Sequence, residues 1–387
     1  MRTATKPSSP LMQRPMLTGL VLALALVALY VPSGRSAMID TEKAKLNVTT
    51  FAKGLEHPWG MAFLPDGRAL VTERPGRLRL VARDGTLSEP LQGVPEVYAS
   101  GQGGLLDVAL DPDFKTNNLV YLTYAEPREG GAGTAVARGV LTEGGLDKVE
   151  VIFRQVPTID GGLHFGSRLA FAPDGKLFIT LGERFQFDPA QDLGNDLGKI
   201  VRINPDGSIP EDNPFVGKKN ARPEIWSYGH RNPQGAATHP ESGKLWETEF
   251  GPFGGDELNI PKAGSNYGWP VVSWGRHYNG TSIPEPPTWP EFADANYHWT
   301  PVISPSGIAF YTSDTIPGWR GNLLIGGLSS EAIIRLTLEG ETVKAEERIP
   351  MGTRIRDVAI GPDGAVYALT DERDGEILRL APEAAAP

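Results

Sequence analysis

Short apolar runs alternate with tight polar turns along the chain, and the alternation repeats. Residues 61–73 read MAFLPDGRALVTE: an apolar stretch, a Pro-Asp-Gly turn, then a stretch in which apolar and polar positions alternate. Period two is the pattern of a strand with one buried face, and Pro-Asp-Gly supplies the backbone angles of a tight connection. The unit returns as VALDPDF at 108–114, LAFAPDGKLFITLGE at 169–183, ATHPESGKLWETE at 237–249 and VAIGPDGAVYALTDE at 358–372. The turn prolines, Pro65, Pro112, Pro173, Pro240 and Pro362, lie 47, 61, 67 and 122 residues apart, so the last gap holds one further, degenerate copy. That copy is placed at Gly307-Ile-Ala-Phe-Tyr and Asn322-Leu-Leu-Ile-Gly-Gly. Six copies predict an all-β fold, a six-bladed β-propeller of four-stranded antiparallel blades, each covering its faces only against its neighbours. Two β-sandwiches would also hold many short strands but leave the matched turns unexplained. No long segment has a helical period and no linker divides residues 38–387, which are expected to form one domain.

Residues 1–37 follow a different pattern. Arg2, Lys6 and Arg14 precede an apolar run from Leu17 to Val31, and small residues follow it. This reads as an export signal, or as a membrane anchor if it is not cleaved. The run is shorter than the roughly 20 residues a spanning helix needs. The expected location is the periplasm or the exterior.

Composition narrows the chemistry. With 37 Lys and Arg against 47 Asp and Glu, the net charge of −10 offers no general attraction to nucleic acid. There is no cysteine, which excludes thiolate metal sites, thiol nucleophiles and a covalently attached haem. Any metal must sit on oxygen or imidazole.

Several segments are richer in glycine and polar residues than strands or turns require. They are Gly101-Gln102-Gly103-Gly104, residues 161–168 (GGLHFGSR), Gly182-Glu183, residues 226–235 (WSYGHRNPQG), residues 251–257 (GPFGGDE) with Tyr267, and Arg354-Ile355-Arg356-Asp357. Each flanks a strand that the repeat places near the propeller axis, so loops at one mouth of the channel would gather them into a pocket.

In this ordered set the chain resembles the soluble quinoprotein aldose sugar dehydrogenases, relatives of soluble glucose dehydrogenase, from about Gly54 to Leu380. The resemblance implies a six-bladed propeller, pyrroloquinoline quinone (PQQ) with Ca2+, and oxidation of an aldose at its anomeric carbon to a lactone. It implies His164 as general base, oriented by Glu183, and a near-neutral imidazole suits removal of a hydroxyl proton. A tricarboxylate cofactor calls for guanidinium forks, and Arg231, Arg354 and Arg356 are the candidates. Arg354 and Arg356 lie two apart in an extended segment and so share a face. Arg231 would also steady negative charge developing on the quinone oxygen. Asn232 would hydrogen-bond the cofactor, and Gln102 the cofactor or a sugar hydroxyl. The resemblance further implies that the carbonyls of Gly251 and Pro252 hold a calcium shared with the cofactor, and that Asp256, Glu257 and Tyr267 form a second calcium site. Each of these residues also has a plainer reading, as a solvated arginine face, a turn former or a strand-end acid.

The chain departs from that pattern twice. The lysine expected after a Leu-Leu-Ile-Gly strand is absent, since residues 326–330 read Gly-Gly-Leu-Ser-Ser, and the acid that grips glucose before the base is Leu163. Quinone affinity should therefore be weaker and sugar range broad. Electrons would pass to a separate acceptor. The competing readings are a calcium-dependent lactonase or esterase on a six-bladed propeller, and a non-catalytic propeller that binds a partner or glycan through its eight tryptophans.

Overall fold

The sequence repeat places its six hairpins at the centre of six sheets. In a computed structural model that describes residues 36–283 and 287–382, each copy forms the two inner strands of one blade. The innermost strands are Pro58–Phe63, Leu105–Leu110, Gly166–Phe171, Pro233–Thr238, Pro305–Phe310 and Ile355–Ile360, in blades 1 to 6. Each contacts the next, and blade 6 returns to blade 1, closing the ring. The degenerate copy is blade 5, where Pro305–Phe310 pairs antiparallel with Leu323–Gly327. The only helices among the described residues are two four-residue pieces, Phe114–Asn117 and Asp188–Gln191.

Four blades have the expected four strands, and two differ. Blade 1 has three, because after Arg77–Val81 the chain runs through Pro90 and Pro95, which bring no N–H to a ladder. Only Ser88 and Leu91 still donate to that strand. Blade 6 has five. The early strand Lys45–Leu55 pairs antiparallel with the late strand Gly375–Pro382, so the two ends of the described chain close the ring together. Ser36–Asp40 adds an outer strand to this blade. Residues 36 and 37, expected in the export segment, thus lie in this strand, and the apolar run falls outside the described residues.

There is no single core. One apolar cluster fills each of the six blade interfaces: Leu70 against Leu122, Tyr121 against Ile179, Phe178 against Leu245, Trp246 against Ile325, Trp319 with Leu324 against Leu378, and Leu369 against Val71. Trp246, Trp299 and Trp319 are buried there, as blade packing requires. Neighbouring blades are also stitched by threonines of the second strands. Thr72 accepts from Gly60 N and donates to the Leu106 carbonyl of the next blade, and Thr123 links Asp107 N to the Ser167 carbonyl in the same way.

The axis is filled by charge. Each innermost strand shifts register near its start, and the residue beside that irregularity is either glycine or charged. Around the ring these residues are Gly60, Asp107, Arg168, Gly235, Gly307 and Asp357. Arg168 bonds Asp107 at 2.9 Å and Asp357 at 3.1 Å, and all three are at least nine-tenths buried. Glycine at 307 is what makes room, since a Cβ there would lie 1.7 Å from Asp357 Oδ1. Burial pushes Asp357 up to about 6, with Arg168 opposing the rise and Asp107 adding to it.

Arg168→Met would leave two buried carboxylates without a counter-charge. The variant should lose about 3–5 kcal/mol of stability, measured by urea denaturation, and adding Asp107→Asn and Asp357→Asn should return part of it. An unchanged midpoint in the single variant would mean that the axial ion pairs do not hold the ring.

Candidate active site

The glycine-rich segments converge at one end of the strands. His164 ends a loop that enters the innermost strand of blade 3, and Glu183 follows that blade's second strand. His164 Nδ1 lies 2.8 Å from Glu183 Oε1, with His164 5% exposed and Glu183 fully buried. A carboxylate on Nδ1 fixes that nitrogen as the donor and leaves Nε2 as the basic atom. Burial lowers the His164 pKa, the Glu183 hydrogen bond opposes this, and the positive charges of Arg231 and Arg184 add to the lowering. The balance of these effects favours the neutral ring.

The loop is clamped by its neighbours. Gln102 Oε1 accepts from His164 N at 2.9 Å, and Asn232 Oδ1 accepts from Gly166 N at 3.1 Å. The amide oxygens of both expected cofactor contacts are thus engaged with backbone, and each has its NH2 end to offer a ligand. Arg184, which the sequence reading passed over, bonds the carbonyls of Leu163, Ala132 and Gly161 and lies over the Phe165 ring. His164, Ser167, Arg184, Phe185 and Phe187 all have positive φ, a conformation non-glycine residues rarely adopt and one that concentrates at functional sites.

Arg231 leaves the opposite loop. Its Nη1 donates to the carbonyls of Phe250 and Gly251, both at 3.0 Å, its Nη2 to Tyr278 Oη, and its Nε is buried without a partner. Beside it, a cleft of about 350 Å³ receives Gln102, Phe250, Arg354, Arg356 and Asp371. The two arginines share one face, as their spacing predicted. Both reach Asp371 Oδ2, at 3.3 Å from Arg354 and 2.7 Å from Arg356. Burial pushes Asp371 up, but Arg356, with Arg74 and Arg354 adding their charge, outweighs this and holds the carboxyl well below its usual range. Two grooves of about 450 and 470 Å³ lie among the Pro-Asp-Gly turns and involve none of these residues.

The third group lies under Arg231. A void of about 10 Å³, the size of a water or small ion, is lined by Arg231, Glu249, Gly251, Glu257 and Tyr267. Asp256 does not open into it as a free ligand: Oδ1 accepts from Gly251 N, and Oδ2 from Ile303 N and Ser304 N. One of these bonds holds the Gly251 turn and two tie it to the next blade, so Asp256 acts on the site by shaping it. The Tyr267 hydroxyl donates to the Ile260 carbonyl and its ring stacks on His230. The acids that do cluster here are Glu247, Glu249 and Glu257, around Asn259 Nδ2. Burial raises the pKa of Glu247 and Glu257 far above the carboxylate range, with the Glu249 charge adding to both, while Glu247 Oε2 and Asn259 Oδ1 have no partner. Glu247 and Glu249 were missed by the sequence reading, although Glu-Thr-Glu in a strand puts both carboxylates on one face.

The donor sets fit the implied groups. Unpartnered Nε atoms on Arg231 and Arg356 face a polyanion's needs, and buried hard oxygens short of donors suit calcium. The fold agrees with what known proteins display. The Glucose / Sorbosone dehydrogenase family profile matches residues 55–379. The aldose sugar dehydrogenase YliI of Escherichia coli K12 is 48% identical over 358 residues, covering 90% of this chain and 96% of that protein. A crystal structure of a glucose dehydrogenase superposes with a TM-score of 0.85 at 52% identity, over 87% of this chain and 99% of that one. The PQQ-bound aldose sugar dehydrogenase of Streptomyces coelicolor superposes with a TM-score of 0.73 at 33% identity, over 87% and 98%. The chain belongs to the Glucose / Sorbosone dehydrogenase family, whose members oxidise sugars.

Proposed function

We propose that the protein is a PQQ- and calcium-dependent aldose dehydrogenase that oxidises the anomeric carbon to the lactone and hands its electrons to an external acceptor. The observation that carries this reading is the buried His164–Glu183 pair, whose His164 backbone is held by Gln102, a residue that also lines the cleft of Arg354 and Arg356. When bound, the quinone supplies the two-electron oxidant and takes up the hydride. His164 Nε2 takes the proton from the C1 hydroxyl, while Glu183 keeps Nδ1–H in place and stabilises the imidazolium that forms. Arg231 holds positive charge where an oxyanion develops. Arg354 and Arg356 orient the cofactor's carboxylates, and Gln102 and Asn232 present N–H donors. The carbonyls of Gly251 and Pro252 would hold a calcium beside Arg231, and Glu257 and Tyr267 a second one, with Asp256 shaping the turn.

The lactonase reading needs side-chain carboxylates around a metal at the channel centre, where this chain places the Arg168 guanidinium between its two aspartates. For the binding-module reading, most tryptophans of the blades are packed inward. Around His164 and Arg231 the exposed large apolar side chains are Leu163, Phe185, Phe253 and Tyr278, a surface that suits sugar rings and agrees with a broad aldose range. No helix among the described residues is long and apolar enough to cross a membrane. The expected place of action is the periplasm or the exterior.

Dye reduction by the chelator-treated protein on adding an aldose should require both quinone and calcium; turnover without the quinone would defeat the reading. His164→Ala should lower kcat by roughly 10²–10⁴ while quinone binding persists. The acid limb of kcat/KM should fall below the usual histidine value of about 6.5, because the neutral form is favoured and the rate is lost as pH falls through the folded pKa. Glu183→Gln removes the group that opposes that lowering, so its limb should move further down as turnover drops roughly tenfold or more. A limb that moves up in steady-state pH profiles would contradict the assigned pairing.

A further inference from the structure

The cleft holds a third guanidinium. Arg74 sits in the turn between the second and third strands of blade 1, next to Pro75, and lines the cleft with Arg354 and Arg356. Its charge acts on both Asp371 and Arg356. Among the described residues its guanidinium makes one hydrogen bond, Nη1 to the Gly101 carbonyl at 3.0 Å, and no ion pair. Its Nε is buried without a partner, as is that of Arg356. Buried N–H groups are nearly always satisfied, so two such groups in one cleft call for an acceptor that arrives from outside.

The charge count points the same way. Asp371 is the one acid among the residues that line the cleft, and Arg354 and Arg356 already share its Oδ2. Those three groups together leave one net positive charge, and Arg74 doubles it. From blade 5 the cleft receives Ser304 and Leu328, neither charged. A ligand with several carboxylates is therefore met by cations from blades 6 and 1.

We infer that Arg74 is a carboxylate-binding residue of the cofactor site, its Nε and free Nη hydrogens gripping a carboxylate that Arg354 and Arg356 do not reach. This rests on the quinone reading above. Its alternative role is to hold the Gly101–Gln102 loop through Nη1, and the two roles predict different ligand dependence.

The test is equilibrium binding of PQQ and of its trimethyl ester, followed by absorbance, for the wild-type chain, Arg74→Met, Arg74→Lys and the exposed control Arg320→Met. A charged contact predicts that Arg74→Met weakens the acid form about tenfold to a hundredfold and flattens its salt dependence. The ester should bind Arg74→Met and wild type alike, Arg74→Lys should recover part of the loss, and Arg320→Met should match wild type. Equal weakening of acid and ester would assign Arg74 to the loop and overturn the inference, as would an unchanged acid affinity. Failure of the wild-type chain to bind the acid form at all would overturn the quinone reading itself, and this inference with it.

Discussion

The pairing of Arg168 with Asp107 and Asp357 is the constraint on which the rest of the molecule hangs. A propeller has no central core, so its inner strands meet around a channel that water or side chains must fill. Here one guanidinium spans blades 2, 3 and 6, and glycines on the intervening strands give it room. Arg168 also donates to the Gln234 carbonyl, and its Nη2 approaches the Arg356 carbonyl, so blade 4 is tied to the same point. A buried ion pair adds little net stability against an apolar filling, but breaking one is costly. Its value lies in register: each innermost strand is held at a fixed height relative to the others.

That height is what the mouth requires. His164 lies four residues before Arg168, in the loop that enters its strand, and Arg356 is the immediate neighbour of Asp357 on another strand. A slip of one residue at the axis would turn Arg356 out of the cleft and carry His164 away from Glu183, because side chains alternate along a strand. The distances at the mouth are thus set from below by the axial pairs and from above by Gln102, Asn232 and Arg184, which hold the His164 loop. The loop needs both, since its backbone sits in left-handed conformations that relax unless over-determined.

The blade count was legible because turn chemistry is local: a proline turn, Pro-Asp-Gly in three copies and a variant of it in two, precedes a period-two strand at five places, and the degenerate sixth kept its strand pattern. The uneven strand numbers were not legible, since ring closure by Lys45–Leu55 pairs residues more than 300 apart in a segment that carries no repeat motif. Site residues could be read where glycine accompanied them, as with His164 and Arg231. Those set among ordinary strand or turn residues could not. Arg74 looks like any polar residue before Pro-Gly, and Asp107 occupies a position that in an isolated strand would face water. Asp256 was legible as important but not in its role, because its partners, Ile303 and Ser304, come from the next blade.

The two halves of the mouth carry opposite electrostatic deficits. Around Asp371 there are more guanidiniums than carboxylates, and under Arg231 Glu247, Glu249 and Glu257 surround the Asn259 amide, with Glu247 and Glu249 also beside the His230 imidazole. Neither arrangement is how a protein minimises its own energy: burial, with the Glu249 charge adding to it, pushes the Glu247 and Glu257 carboxyls up. One half of the mouth thus has guanidiniums in excess, and the other has buried acceptor oxygens without donors. A bound polyanion and a hard cation would each be drawn to the half that lacks it, and each would relieve the strain left by the other's absence. The unfilled protein is then less stable than the filled one by the free energy of binding. Cofactor loading and folding stability are in this way the same quantity, read at the same residues.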